Sequence, residues 1–138
     1  MRYYMSQNIK PSVWGPHGWK FMHFVSLGYP ENPSREDKRQ YKEFYESLQY
    51  ILPCGTCAQN YTLNLQEMPI VNSLDSRDTL IKWVIDIHNK VNQETRKKTM
   101  EHEDALNLYL KQQIPLFEYG FKILILVMIL VFLYYAIK

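Results

Sequence analysis

Apolar residues recur along this chain with a helical period. Tyr41, Phe44, Tyr45, Leu48, Ile51 and Leu52 fall at i, i+3, i+4, i+7, i+10 and i+11, one stripe of a helix. Ser34, with Asp37 three residues on, provides the start of that helix, and Pro53 its end. Leu80, Trp83, Val84, Ile87 and Val91 make a second stripe, on a helix opened by Asp75 or Ser76. Three more helices are predicted. One runs from Gly15 to Gly28, with Pro16 in its first turn and Pro30 beyond its end. Another runs from about Cys54 to Glu67, with Pro69 just past it. A weakly amphipathic one runs from about His102 to Gln113, before Pro115. No alternating run of four or more residues suggests a strand. The class is all-α, a compact helical bundle.

The pattern changes at the C-terminus. Residues 123–137 carry no charge, and only Tyr134 and Tyr135 bring a polar atom. With Phe121 and a snorkelling Lys122 the run reaches the low end of what spans a bilayer. Tyr119, Tyr134 and Tyr135 sit at its ends, where interfacial aromatics belong. A buried core helix would need a polar face, which this run lacks. The expectation is a single-pass transmembrane helix over 121–137, after a linker at 114–120. Residues 1–13 form an N-terminal extension without an apolar run, so no signal peptide is expected. This is the layout of a tail-anchored membrane protein with its main domain, 14–113, facing the cytosol. It suits a virion membrane or a host cytoplasmic membrane. Asn60-Tyr61-Thr62 fits a glycosylation acceptor pattern, with a chance match inside a helix as its alternative.

Composition bounds the chemistry. The 138 residues are enough for one domain. The formal net charge is +2, which gives no electrostatic argument for nucleic acid. Aromatics are 14%, too many for a disordered chain. The 2 cysteines, Cys54 and Cys57, exclude a disulfide-stapled scaffold and a four-cysteine zinc site within one chain.

Cys54-Gly55-Thr56-Cys57 places two thiols at a predicted helix N-terminus. Free N–H groups and the helix dipole stabilise a thiolate there, so the pair can close a small reactive disulfide. Two buried thiols, or half a zinc site, are the alternatives. Zinc would need His17, His23, His88 or His102, and their spacing fits no finger. Thioredoxin-like chemistry uses the same motif on a βαβ scaffold, and no strand is predicted. Trp19 and His23 are i, i+4 on one helix. On another, His88 and Asn92 are also i, i+4, beside Asn89. Such pairs could line a slot for a flat polar ligand, or serve as ordinary helix packing.

Taken together, Trp14-Gly15-Pro16-His17-Gly18-Trp19 with His23, Leu52-Pro53-Cys54-Gly55-Thr56-Cys57, and Trp83 with His88-Asn89-Lys90-Val91-Asn92 resemble the Erv/ALR FAD-linked sulfhydryl oxidases. Order and spacing match from Trp14 to about Tyr109. The short chain and WGPxxW opening are most similar to forms encoded by large cytoplasmic DNA viruses. The resemblance implies a four-helix bundle with a short fifth helix binding FAD, and a homodimer. It implies that Gly15, Pro16, Trp19 and His23 contact FAD. His88, Asn89, Val91 and Asn92 match the stretch around adenine and ribose. Lys97 or Lys98 matches a basic residue near the phosphates, and Tyr109 an aromatic beside the adenine. Cys57 matches the cysteine next to the flavin, and Cys54 the outer one that exchanges with an incoming dithiol.

The chain departs from the family in two ways. It has no second, shuttle cysteine pair, and Ile85 stands where a structural cysteine would be. Electrons must come directly from a thiol-containing protein substrate, or from a thioredoxin-like carrier. The implied activity is disulfide formation in partner proteins, with electrons passed to O2 as hydrogen peroxide. The competing classes are a non-enzymatic tail-anchored adaptor and a metal-binding module built on the CxxC pair.

Overall fold

The computed structural model describes residues 9–111 and 116–137, with side chains left aside at 116–119, 136 and 137. Its helices are α1 (Pro11–Leu27), α2 (Arg35–Ile51), α3 (Gly55–Glu67), α4 (Arg77–Glu94), α5 (His102–Lys111) and α6 (Leu116–Ile137). One 3-10 turn, Ile70–Ser73, lies between α3 and α4. No strand occurs among the described residues. The chain divides into two compact units, Met1–Leu106 and Asn107–Lys138.

Local chemistry sets most of these boundaries. Ser34 accepts from the Asp37 N–H at 3.1 Å while the Asp37 carboxylate accepts from the Ser34 N–H at 2.8 Å. Ser76 and Thr79 form a second reciprocal cap, which opens α4. Cys54 caps α3 with its sulfur, accepting from the Cys57 N–H at 3.2 Å. The first helix corrects the expected start at Gly15. It begins at Pro11, inside the expected N-terminal extension, and Pro16 lies in its interior. Pro11 is the proline whose missing N–H costs nothing in a first turn, whereas Pro16 leaves the Ser12 carbonyl without an intrahelical donor. At the other end of the domain, α5 ends at Lys111 among the described residues, and Gln112 and Gln113 lie outside them.

Within the first unit, α1 packs on α4, α2 on α3, and α3 on α4. The core holds Met22, Tyr29, Tyr45, Tyr61, Ile70, Leu74, Leu80, Trp83, Val84 and Ile87. Its buried tyrosines work as ties between elements. The Tyr29 hydroxyl donates to the Leu74 carbonyl at 2.8 Å, Tyr45 to Met22 at 2.8 Å, and Tyr61 to Tyr45 at 3.2 Å. The Trp83 indole N–H donates to the Met68 carbonyl at 2.9 Å. Burial raises the hydroxyl pKa of Tyr45 and Tyr61, so both remain neutral donors. Ile85 is buried on α4, an apolar packing residue where the family resemblance implies a structural cysteine.

The C-terminal segment overturns the expected transmembrane helix. Residues 116–137 are helical, so the expected linker at 114–120 is helical from Leu116. Among the described residues, no helix is long and apolar enough to cross a membrane. Lys122 limits the uncharged run to 123–137, about 22 Å of helix against about 30 Å of hydrocarbon. The apolar pattern was a correct sign of a helix and an insufficient sign of a span. The architecture of the described residues is all-α.

Candidate functional site: the CxxC helix and the α1–α4 face

The two cysteines form a disulfide at the start of α3, with Cα atoms 5.2 Å apart. Cys54 is extended, at φ −149° and ψ 114°, as an N-cap requires. The first intrahelical bond of α3 runs from the Ala58 N–H to the Cys54 carbonyl at 2.9 Å. On reduction, the Cys54 sulfur therefore faces an N–H donor and the positive end of a helix dipole, which favours its thiolate. Cys54 is 8% exposed and Cys57 is half-buried.

The packing of α1 on α4 brings the aromatic and histidine pairs together. Trp19 and His88 stack, with ring centroids 4.1 Å apart and planes 9° from parallel. His23 Nε2 and His88 Nδ1 share a hydrogen bond at 3.0 Å, so one nitrogen carries the proton and the other accepts it. Burial, then the charge of His88, lowers the His23 pKa to about 3. Burial, then the charge of Lys97, lowers that of His88 to about 4. Both rings are neutral near pH 7. The slot expected between the two pairs is closed, because Trp19 and His88 rest on each other. A flat ligand has the outer faces of this stack and the neighbouring donors to use.

Asn92 follows His88 by one turn and is buried. Its carbonyl accepts from the Lys97 N–H at 2.7 Å, which holds Lys97 at the same end of α4. The chain reverses there through Arg96, a non-glycine at φ 56°. Its N–H donates to the Gln93 carbonyl at 3.1 Å, completing a Schellman closure. No glycine marks this turn, so nothing in residue type pointed to it.

Other expected contact residues have different places. Both ends of the Asn89 amide are engaged by a loop: Nδ2 donates to the Met100 carbonyl at 2.8 Å, and Oδ1 accepts from the Met100 N–H at 3.0 Å. Asn89 thus clamps the loop after α4, a role invisible in sequence. His102 reinforces the clamp through Asp86 at 2.6 Å. An open depression of about 370 Å3 lies on this side, lined by Asp86, Asn89, Lys90 and Met100 among others, and touches neither cysteine nor Trp19. Gly15 has open space where a Cβ would project. Val91 is half-buried, whereas Pro16 and Lys98 are exposed. Tyr109 is buried and belongs to the second unit, whereas the residues described above belong to the first.

An uncharged aromatic stack, a neutral histidine pair, a buried amide and a nearby lysine suit a flat heteroaromatic group carrying phosphates. A disulfide at a helix N-terminus suits thiol exchange. Fold and site together define a helical-bundle dithiol–disulfide protein with a face for an aromatic, anionic cofactor.

Comparison with known proteins narrows that class. The Erv1/Alr family model matches residues 16–114. A protein of Acanthamoeba polyphaga mimivirus named "Probable FAD-linked sulfhydryl oxidase R368" is 45% identical over 108 residues, covering 78% of this chain and 76% of that one. The mitochondrial FAD-linked sulfhydryl oxidase of Saccharomyces cerevisiae is 32% identical over 83 residues, covering 60% of this chain and 43% of its own length. The yeast Erv1 core crystal structure superposes with a TM-score of 0.66 at 27% identity, over 81% of this chain and 91% of that one. The yeast Erv1 FAD-binding domain gives 0.66 at 28% identity, over 75% and 93%. The chain belongs to the Erv1/Alr family.

Proposed function

We propose that this chain is an FAD-dependent thiol oxidase that makes disulfides in partner proteins, using Cys54 and Cys57 as its exchanging pair. The observation that carries this reading is a disulfide capping α3 in the same unit that assembles Trp19, His23, His88 and Asn92. A partner thiolate attacks Cys54, forming a mixed disulfide and releasing Cys57 as a thiolate. The partner's second thiolate then attacks its own sulfur in that mixed disulfide. A disulfide leaves on the partner, and Cys54 and Cys57 remain as a dithiol holding two electrons. Bound FAD provides the two-electron acceptor for that dithiol and a route to O2, giving hydrogen peroxide.

The chain's own residues hold the cofactor and keep the thiols reactive. Trp19 and His88 offer the flat face, with His23 fixing the His88 ring through their shared proton. Asn92 and Lys97 provide polar and cationic groups at the end of α4, the latter suited to phosphate. Gly15, Pro16, Asn89, Val91, Lys98 and Tyr109 complete the cofactor set that the family resemblance implies, Asn89 by clamping a loop. The same resemblance supports a homodimer, and a thiol-bearing protein or thioredoxin-like carrier as electron donor.

Purification of the full chain tests the reading. The expected product is yellow, with FAD released on denaturation, and consumes oxygen with a small dithiol. A folded, colourless product that remains inactive with added FAD would contradict it and favour an adaptor role.

A further inference from the structure

We infer that Trp14 is a positioning residue for Cys54, acting through Ile9 and the Pro53 carbonyl. This rests on the thiol-oxidase reading, in which Cys54 is the sulfur that exchanges. The Trp14 indole N–H donates to the Ile9 carbonyl at 3.1 Å. The Ile9 N–H in turn donates to the Pro53 carbonyl at 3.1 Å. Trp14 is itself seated on α1, where a Cβ on Gly18 would come within 3.3 Å of its ring. Two hydrogen bonds thus connect the first turn of α1 to the peptide just before the reactive disulfide.

That peptide needs an external hold. Hydrogen bonding within α3 begins at the Cys54 carbonyl and leaves the preceding peptide plane unconstrained. Pro53 has no N–H, so its carbonyl is its only backbone hydrogen-bonding group. The Pro53–Cys54 plane sets where the Cys54 side chain starts. It therefore determines whether Sγ stays within reach of the Cys57 N–H, now 3.2 Å away. A thiolate stabilised by one N–H and a helix end is sensitive to that placement. Loss of the strap lets Sγ leave the cap, and the thiol pKa rises towards its ordinary value of about 8.5.

The test uses the full chain carrying Cys57→Ser, which leaves Cys54 as the one thiol and keeps the backbone N–H at position 57. Thiolate absorption in the ultraviolet is titrated against pH, alone and with Trp14→Phe or Ile9→Pro. Trp14→Phe keeps an aromatic ring and loses the indole N–H; Ile9→Pro removes the N–H that reaches Pro53. Each is expected to lower the thiolate fraction below the midpoint about threefold or more, a shift of roughly half a pH unit. The two together are expected to shift it no further. Unmoved midpoints in folded variants would overturn the inference. Should one variant fail to fold, the other reads the same pair of bonds. The titration needs neither FAD nor turnover. Turnover is read on the chain with both cysteines: if that chain is inactive with added FAD while its Cys57→Ser form shows the shift, the oxidase reading alone is defeated, and if it is active while its Cys57→Ser form lacks the shift, this inference alone is defeated.

Discussion

Trp19 and His88 stack face to face, 4.1 Å between centroids, and this contact joins α1 to α4 at the centre of the site. Through its ring edge, at Nδ1, His88 shares a proton with buried His23. A hydrogen bond between two imidazoles survives only while at least one nitrogen of the bridge lacks a proton. The bridge tolerates one added proton; burial is what keeps both rings neutral.

Acid should therefore loosen this unit earlier than its carboxylates alone would. Both histidines have folded-state pKa values below 6.5, at about 3 for His23 and about 4 for His88. Above about pH 6.5 neither state of the chain is protonated there, and their stability contribution is complete. Between about pH 6.5 and 4 the unfolded chain binds protons that the folded chain does not, so stability falls as pH falls. The slope approaches about 1.4 kcal/mol per pH unit for each histidine. Urea midpoints measured across this range should drop, and His23→Gln should flatten the drop. A wild-type midpoint that stays level from about pH 7 to about pH 4.5 would contradict the neutral pair.

The tyrosine ties make a second prediction. Tyr45→Phe removes one hydroxyl from a buried bond to the Met22 carbonyl, and Tyr29→Phe does the same at Leu74. Each should cost about 1 kcal/mol, because a buried acceptor loses its donor while packing is kept. Denaturant midpoints check this, and unchanged midpoints would show that other donors fill in. These ties matter more in a chain whose only two cysteines serve the reactive pair.

How much of this was legible in the sequence depended on the range of each interaction. Ser34 with Asp37, Ser76 before α4, and Cys54 at the head of α3 act within three or four residues, and sequence reading placed the first and third and narrowed the second to Asp75 or Ser76. Both helix stripes also face the core as their spacing implied, except at their ends, where Ile51 is exposed and Val91 is half-buried outside the core cluster. Pro16 misled because two prolines competed for one first turn, and the earlier one took it. The Trp19–His88 stack and the engagement of Asn89 by Met100 depend on partners far away in sequence. Residue type there could suggest a site without showing which groups were already occupied. The terminal apolar run misled for a different reason: its composition is that of a span, and its uncharged length falls short.

Arg96 offers a stability test independent of the cofactor. It occupies the left-handed region at φ 56°, and α4 is closed by its N–H donating to the Gln93 carbonyl and the Lys97 N–H donating to the Asn92 carbonyl. A residue with a Cβ is strained there, and glycine is not. Arg96→Gly should raise stability by about 0.5–1 kcal/mol, with Lys97 kept beside Asn92. A lower melting temperature would mean that the arginine side chain contributes more than the turn geometry loses.

The division of labour between the cysteines is the sharpest prediction. Exposure alone argues against the family's order, since the supposed outer sulfur, Cys54, is 8% exposed and Cys57 is half-buried. Helix-end chemistry argues for it, because only the Cys54 sulfur accepts the capping N–H and gains from the dipole as a thiolate. A leaving or attacking sulfur at the cap is also fixed in direction by that bond. Cys57→Ser should therefore form a lasting mixed disulfide through Cys54 when offered an activated disulfide, and should lose turnover. Cys54→Ser should lose turnover too, but trap far less, with Cys57 left away from the cap. Mass spectrometry of the trapped chains, made with the same reagent and time, reads the difference directly. Equal trapping, or more on Cys57, would reverse the roles and make exposure the deciding factor.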